Sequence, residues 1–216
     1  MLQFSFWDIL SNLLIATQWT IVLSLIAFLC GGIVGLALLF MRTSQIAPLE
    51  WFTKIYIEFF QGTPLLMQLF FIFFGLPALG LKLSETTAAF LAMVINLGAY
   101  STEIIRAGIE AVPKGHIEAG LSLAMSKWEV LRRIVLNQAF RKIYPALSSQ
   151  IIIVMLGSAV VSQISAEDLT YAANFVASRN FRNFEVYLLA ALAYLLLAML
   201  TRSLLRALGR VIFKAR

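Results

Sequence analysis

Five long stretches of this sequence contain no charged residue, and they limit the possible folds more than any other feature. They cover residues 9–41, 59–81, 86–102, 143–166 and 186–201. About 20 apolar residues in a helix are enough to cross the hydrocarbon core of a bilayer. The pattern therefore predicts an all-α, polytopic membrane protein with five transmembrane helices. We place the helices at about residues 12–41, 55–77, 86–108, 146–165 and 186–206.

The overall composition excludes the main alternatives to a membrane protein. Of the 216 residues, 61% are hydrophobic and 13% are charged, whereas a soluble domain is about half apolar and a quarter charged. The single cysteine, Cys30, excludes a disulfide scaffold. The sequence has no GxxxxGKS or GxxxxGKT loop to bind nucleotide phosphates, which argues against an ATPase. We expect one membrane domain over residues 1–216, without a linker or an internal repeat.

The lysines and arginines are unequally divided between the two sides of the predicted membrane. Fourteen lie on one side, and three, Lys82, Arg179 and Arg182, lie on the other. Since segments rich in lysine and arginine stay in the cytoplasm, we expect the N-terminus outside and the C-terminus in the cytoplasm. This asymmetry accounts for the net charge of +6, so no nucleic-acid partner is needed to explain it.

The second predicted span contains a pair of helix-breaking residues. Gly62 and Pro64 lie two residues apart, a spacing that bends or breaks a helix. Broken helices at membrane depth often bind a permeant solute. A bend that only shapes the packing of the bundle is the alternative interpretation.

The third predicted span carries a stripe of polar residues. Asn96, Tyr100 and Glu103 are spaced to share one helix face. Glu103 either faces a solute path or pairs with Arg106 near the cytoplasmic interface, whereas Asn96 and Tyr100 lie deeper. The complete set of candidates for a substrate path is Thr63, Pro64, Gln68, Asn96, Tyr100, Glu103 and Ser158.

The segment between the third and fourth spans, at about residues 109–144, is expected in the cytoplasm. Beyond Pro113, apolar residues recur at helical spacing among charged ones, which predicts an amphipathic helix or two short helices. Such a helix either lies on the membrane surface or docks into a groove of a cytoplasmic protein.

Neither a catalytic nor a metal-binding pattern is found in the sequence. His116 is the only histidine, and it has no second ligand at a suitable spacing. We therefore expect no catalytic residue, no metal and no cofactor in this chain.

In the first span, Gly31, Gly32 and Gly35 permit close helix packing, either inside the chain or with another subunit.

Three segments resemble signature motifs of the permease subunits of ATP-binding-cassette (ABC) importers, in particular the histidine, arginine and glutamine permeases. They are residues 61–68 in the second span, 96–103 in the third, and 106–126, which resembles the coupling loop with the EAA motif. The motifs occur in the family's order along nearly the whole chain. Ala124 stands where the family usually has glycine, and Leu156-Gly157 stands where it often has a Lys-Asp pair.

The resemblance implies a permease of the type I ABC importer kind, with a cytoplasmic coupling helix, in the bacterial inner membrane. A second permease subunit, identical or homologous, would complete the pore. Two cytoplasmic subunits would bind ATP and Mg²⁺, and an extracytoplasmic protein would deliver a polar or charged amino acid. The residues expected to contact the ATPase are Glu118, Ala119, Gly120, Ala124, Ser126 and Trp128. The alternative function is an autonomous secondary transporter or channel for a small polar solute.

Overall fold

A computed structural model describes residues 6–214, which form helices joined by short connections, with no strand among them. The predicted all-α class is thus confirmed. In chain order the helices are α1 (Phe6–Thr43), α2 (Ala47–Gly62), α3 (Leu65–Leu79), α4 (Glu85–Glu110), α5 (Lys114–Ser122), α6 (Lys127–Ile164), α7 (Leu169–Asn180) and α8 (Asn183–Lys214).

Four of these helices, α1, α4, α6 and α8, are long and apolar enough to cross a membrane. Helices α2 and α3 meet at a bend of 108° and together form a candidate fifth span. The described part of the chain therefore has four to five candidate spans, as a polytopic membrane protein requires. Residues 1–5 and 215–216, which hold both predicted termini, lie outside the described range.

The segment predicted as a cytoplasmic loop at 109–144 differs in its organisation from the expectation. Only α5 forms a separate short helix, because α6 begins at Lys127 and continues into the fourth predicted span. Pro145 lies inside α6; its missing N–H removes one backbone hydrogen bond but does not end the helix. The short helix α5 therefore packs directly against the start of a membrane helix.

Glycines set the distance between α1 and α4. A Cβ atom at Gly31 would lie 2.8 Å from the Leu97 side chain, and one at Gly35 would lie 2.5 Å from Ser101 Cβ. Such distances are too short for a side chain, so glycine at both positions lets the helices pack closely, and at Gly35 the neighbouring atoms include α4 backbone. A Cβ at Gly32 would meet nothing within 4 Å. Two of the three small residues are therefore used for packing inside the chain.

Two apolar clusters pack the long helices of the bundle, and a third lies beside α5 at the start of α6. The larger lies where α1, α3, α4 and the end of α6 meet, and it includes Leu69 and Ala92. The smaller joins the start of α1 to α7 and α8, and it includes Leu13 and Val176. Many large side chains on α1 and α8 are exposed instead, such as Phe40 at 73%. Exposed apolar helix faces match a lipid environment, in which the solvent is as apolar as the side chains.

Candidate functional site

The chain reverses direction sharply at the break between α2 and α3. Helix α2 ends at Gly62, Thr63 is extended (φ −118°, ψ 143°), and Pro64 precedes the first turn of α3. A proline cannot donate a backbone hydrogen bond, and the last carbonyls of any helix lack intrahelical partners. The break therefore leaves carbonyl groups at membrane depth that require other donors.

Two side-chain amides supply these donors. Gln68 Nε2 donates to the carbonyl oxygens of Phe60 and Thr63, each at 3.0 Å, and to Thr63 Oγ1 at 2.8 Å. Asn96 Nδ2, from α4, donates to Gln68 Oε1 at 3.0 Å and to the Phe60 carbonyl at 3.3 Å. Gln68 is only 5% exposed and does not line the cavity described below, so its amide serves the backbone in this structure.

A cavity of about 670 Å³ lies beside the break, between α2, α3, α4 and α6. Four predicted path residues line it, namely Thr63, Pro64, Asn96 and Tyr100. The full lining is Gln61, Gly62, Thr63, Pro64, Leu65, Met93, Asn96, Tyr100, Gln150, Ile153, Val154, Gly157 and Val160. The cavity thus has uncharged polar groups on an apolar wall, which is the usual make-up of a site for a small solute.

Glu103 does not reach this cavity, although it shares a helix face with Asn96. Its carboxylate accepts from Arg106 Nη2 at 2.6 Å and is also paired with Arg42 of α1. Arg106 contacts Glu110 as well, at 2.6 Å. Glu103 lies seven residues beyond Asn96, about 10 Å along the helix axis, so it meets the end of α1 instead. The structure favours the ion-pair interpretation of Glu103.

Ser158 is also absent from the cavity lining. It is fully buried, and its hydroxyl donates to the Met155 carbonyl at 2.8 Å. A serine hydroxyl in a helix often bonds back to the preceding turn in this way. In this structure the residue therefore belongs to the interior of the bundle, and its place on the substrate path stays a prediction.

Two polar residues of the cavity, Gln61 and Gln150, are not among the predicted path residues. Gln61 Nε2 donates to the Ala99 carbonyl at 3.2 Å, which links α2 to α4. Gln150 follows Ser148 and Ser149 in α6, precedes an apolar run, and is 8% exposed. An amide in a predicted span is a usable signal, but this span has two, Gln150 and Gln163, and only the packing of α6 shows which neighbours each one faces.

The short helix α5 is held against α6 by a glycine. A Cβ at Gly120 would lie 2.7 Å from Ile134 Cδ1 and 3.0 Å from Val130 Cγ2. His116 Nδ1 is also 2.8 Å from Gln138 Oε1 of α6. Gly120 is buried by its own chain, and its contact with an ATPase stays a prediction. It fixes the position of α5.

The turn after α5 requires an unusual backbone conformation at Ala124. Its φ is +58°, in the left-handed region. The Ala124 N–H donates to the Leu121 carbonyl at 3.0 Å, and the Met125 N–H donates to the Gly120 carbonyl at 3.2 Å. This pattern ends many helices and usually has glycine at the left-handed position. Ala124 therefore has a role in the turn and carries some backbone strain there.

Ser126 begins α6 through a reciprocal cap with Glu129. The Ser126 hydroxyl accepts from the Glu129 N–H at 3.3 Å, and Glu129 Oε2 accepts from the Ser126 N–H at 3.0 Å. The hydrogen bonds from the Ser126 backbone and hydroxyl lower the pKa of Glu129 below its usual value. The polar groups of Ser126 are thus used inside the chain.

The remaining predicted coupling residues lie on an exposed surface formed by α5 and the start of α6, which we call the α5 surface. Glu118 and Ala119 are exposed, and Trp128 is 66% exposed. Glu118 has no ion-pair partner among the described residues. Two leucines that the sequence analysis did not select, Leu121 and Leu123, are also exposed, at 46% and 78%. This combination of apolar side chains and one free carboxylate is suited to docking into a protein groove.

The helical fold, the cavity at a broken span and the exposed α5 surface together define a multi-pass membrane subunit of a solute transporter. Residues 27–214 match the family described as binding-protein-dependent transport system inner membrane component. The chain belongs to this family, and it is a multi-pass permease of the inner membrane. The family predicted from the three sequence motifs is therefore confirmed.

Relatives and solved structures agree with this assignment. The L-cystine transport system permease protein of Bacillus subtilis (strain 168) is 38% identical over 201 residues, covering 93% of this chain and 85% of that protein. The glutamine transport system permease protein of Escherichia coli (strain K12) is 32% identical over 206 residues, covering 94% of both. A crystal structure of an amino acid ABC transporter matches with a TM-score of 0.88 at 36% identity, covering 93% of this chain and 94% of that one. The methionine ABC transporter MetNI, in an inward-facing conformation, matches with a TM-score of 0.71 at 20% identity, covering 93% and 96%, and shows likeness of fold alone.

Proposed function

We propose that this chain forms half of the translocation path of an ATP-driven importer for a polar or charged amino acid. The other half is a second permease subunit, identical or homologous. The observation that carries the proposal is the 670 Å³ cavity beside the α2–α3 break, with the Tyr100 and Gln150 side chains in its lining. The cavity is large enough for an amino acid and opens at the kind of helix break where transported solutes bind.

The α5 surface is the proposed docking site for a cytoplasmic ATP-binding subunit. Glu118, Ala119 and Trp128 are its central residues, with Leu121 and Leu123 as additional apolar contacts. Helix α5 packs through Gly120 on α6, and α6 also lines the cavity. A movement imposed on α5 by ATP binding therefore reaches the cavity through a single continuous helix.

The chemistry of ATP hydrolysis belongs to partner subunits in this proposal. Two cytoplasmic subunits bind ATP and Mg²⁺, and the permease itself has no catalytic residue and no cofactor. An extracytoplasmic binding protein delivers the amino acid. The N-terminus faces outward and the C-terminus faces the cytoplasm, which is supported by the excess of lysine and arginine at the proposed cytoplasmic side.

Reconstitution of the complete complex in liposomes tests the coupling role. We expect Glu118→Lys to reduce both ATP hydrolysis and amino-acid uptake at least tenfold, because the change reverses a charge in the centre of the docking surface. The matched control is Glu167→Lys, an exposed glutamate near the other end of α6, which should leave both rates unchanged. Size-exclusion chromatography establishes that each variant assembles with its partners.

The translocation role is tested by cavity variants in the same liposomes. We expect Gln150→Ala to reduce uptake while ATP hydrolysis without substrate stays close to that of the unchanged complex. Uptake that continues without ATP would contradict the importer function and favour an autonomous carrier or channel. Equal uptake by Gln150→Ala and the unchanged complex would show that this cavity is not on the path.

A further inference from the structure

A basic cleft of about 520 Å³ opens between α6 and α8, near the C-terminal end of α8. Four arginines line it, Arg141 on α6 and Arg202, Arg206 and Arg210 on α8. The three α8 arginines are spaced four residues apart, so they form one row about 12 Å long on one side of the helix. Among the described residues, none of these three has a carboxylate partner.

The neighbourhood of this arginine row is apolar. Arg202 directly follows the uncharged stretch 186–201. Leu205 of α8 and Ile152 of α6 line the cleft beside the arginines, and Leu204 and Leu208, on the opposite face of α8, are 64% and 53% exposed. A row of cations beside apolar cleft walls, on a helix that also exposes leucines on its other face, fits the boundary between acyl chains and head groups, where arginine side chains extend toward the polar layer.

Close packing between α6 and α8 fixes the width of the cleft. A Cβ at Gly209 would lie 2.6 Å from Tyr144 Cε1, so the tyrosine ring rests on the α8 backbone. The Tyr144 hydroxyl also donates to the Leu205 carbonyl. Ser148, which lines the same cleft, has a buried hydroxyl oxygen without a hydrogen-bond partner in the described part of the chain. Polar atoms that are buried in this way usually have a partner.

We propose that this cleft binds the head group of an anionic phospholipid, such as phosphatidylglycerol, from the leaflet at the basic end of the bundle. Arginine is suited to phosphate because its planar guanidinium donates two parallel hydrogen bonds. The acyl chains lie along the apolar cleft residues Ile152 and Leu205. Basic pockets between membrane helices on the cytoplasmic side hold anionic head groups in this manner.

Two observations favour a lipid over a cytoplasmic protein as the occupant. The row begins at Arg202, next to the apolar part of α8, where a water-soluble partner has no access. The cleft also combines positive charge with apolar walls, and a phospholipid has both a negative head and apolar chains. The site depends on the membrane location of the chain and not on which solute it transports.

Native mass spectrometry of the complete complex tests the site, with phosphatidylglycerol added as the probe and phosphatidylcholine as the neutral comparison. The test variant is Arg202→Gln, Arg206→Gln and Arg210→Gln combined. Each basic residue near an anionic lipid surface strengthens binding by roughly fivefold. We therefore expect about a hundredfold weaker phosphatidylglycerol binding, with no change for phosphatidylcholine.

The matched control is Lys82→Gln, Arg179→Gln and Arg182→Gln combined, which also removes three positive charges. These residues lie toward the other end of the bundle, so the control should keep the affinity of the unchanged complex. If the triple arginine variant does not assemble, Arg206→Gln alone is used, with about a fivefold loss expected.

Three outcomes would overturn the proposal. The first is equal phosphatidylglycerol affinity in the variant and the unchanged complex. The second is displacement of the lipid by inorganic phosphate at equal concentration, which indicates a site for the free ion. The third is efficient cross-linking to a second permease subunit through a cysteine introduced by Arg206→Cys in a Cys30→Ser background. Such cross-linking would show that the cleft is a subunit interface.

Discussion

The close packing of α1 on α4 distinguishes two glycines that lie three residues apart. A Cβ at Gly35 would lie 2.5 Å from Ser101 Cβ and 3.0 Å from the Thr102 backbone nitrogen, whereas a Cβ at Gly32 would meet nothing within 4 Å. Both positions are inside the same helix, so alanine gives each about the same gain in helix propensity, about 1 kcal/mol. The difference in stability between Gly35→Ala and Gly32→Ala therefore measures the steric cost at the helix contact.

The expected magnitude follows from the atoms that the new methyl group would meet. Overpacking a well-packed interior costs about 1–3 kcal/mol. Two of the three nearest atoms at position 35 are α4 backbone, which cannot rotate away, so we expect about 2–3 kcal/mol. For a chain of this length, that difference separates the two melting temperatures by about 4–12 °C.

The only cysteine of the chain provides the assay. Cys30 is partly buried and packs against the larger apolar cluster, so a thiol-reactive fluorophore reports the temperature at which α1 separates from the bundle. Ser101→Gly removes the atom nearest to the added methyl group and should restore part of the stability of Gly35→Ala. Equal melting temperatures for Gly35→Ala and Gly32→Ala, within about 1 °C, would refute the packing argument.

Three further predictions concern the turn, the break and a buried carboxyl group. Ala124→Gly should stabilise the chain by about 0.5–1 kcal/mol in thermal denaturation, because glycine adopts the left-handed conformation without strain. The control, Ala119→Gly inside helix α5, should destabilise the chain by about 1 kcal/mol. Gln68→Leu should cost about 2 kcal/mol, because it leaves buried carbonyl groups at the helix break without a donor, while Gln163→Leu at an exposed position should cost little. Burial raises the pKa of Asp168. Thermal stability should therefore fall as the pH rises from the ordinary pKa of an aspartate, near 4, through the raised pKa of Asp168. The Asp168→Asn variant should not show this pH dependence.

Each of these predictions has a result that contradicts it. Destabilisation by Ala124→Gly would mean that the left-handed turn is not maintained in solution. Equal stability of the two glutamine variants would mean that the amide is not needed at the break. A pH dependence that persists in Asp168→Asn would assign the titration to another group.

The number of long apolar segments could be predicted from sequence because lipid imposes a minimum length on every span. The same reasoning did not predict that α6 begins at Lys127. Charged side chains after Lys127 marked the segment as cytoplasmic, but charge does not end a helix, and the Ser126–Glu129 cap shows that a new helix begins there. Charge pattern locates a segment relative to the membrane, whereas capping residues locate the helix ends.

The candidate site was predicted only in part, for a related reason. Helical spacing placed Asn96, Tyr100 and Glu103 on one face, and they do share it. Spacing does not show what the face meets along its length, and for Glu103 that is Arg42 of a different helix. Ser158 and Gly120 were assigned to function because of their residue types, but both are buried by contacts that arise only in the folded chain.

The two amides at the helix break bear on how the substrate is selected. Gln68 and Asn96 belong to the motifs on which the family resemblance rests, yet their amide groups bond to the backbone and to each other. They fix the bend, so permeases for different solutes can share them.

The Tyr100 and Gln150 side chains remain to contact a solute, and no residue lining the cavity is charged. An ionised side chain would find no counter-charge there, so this half of the path suits an amino acid with a neutral side chain. Recognition of a charged one would have to come from the second permease or from the delivering protein.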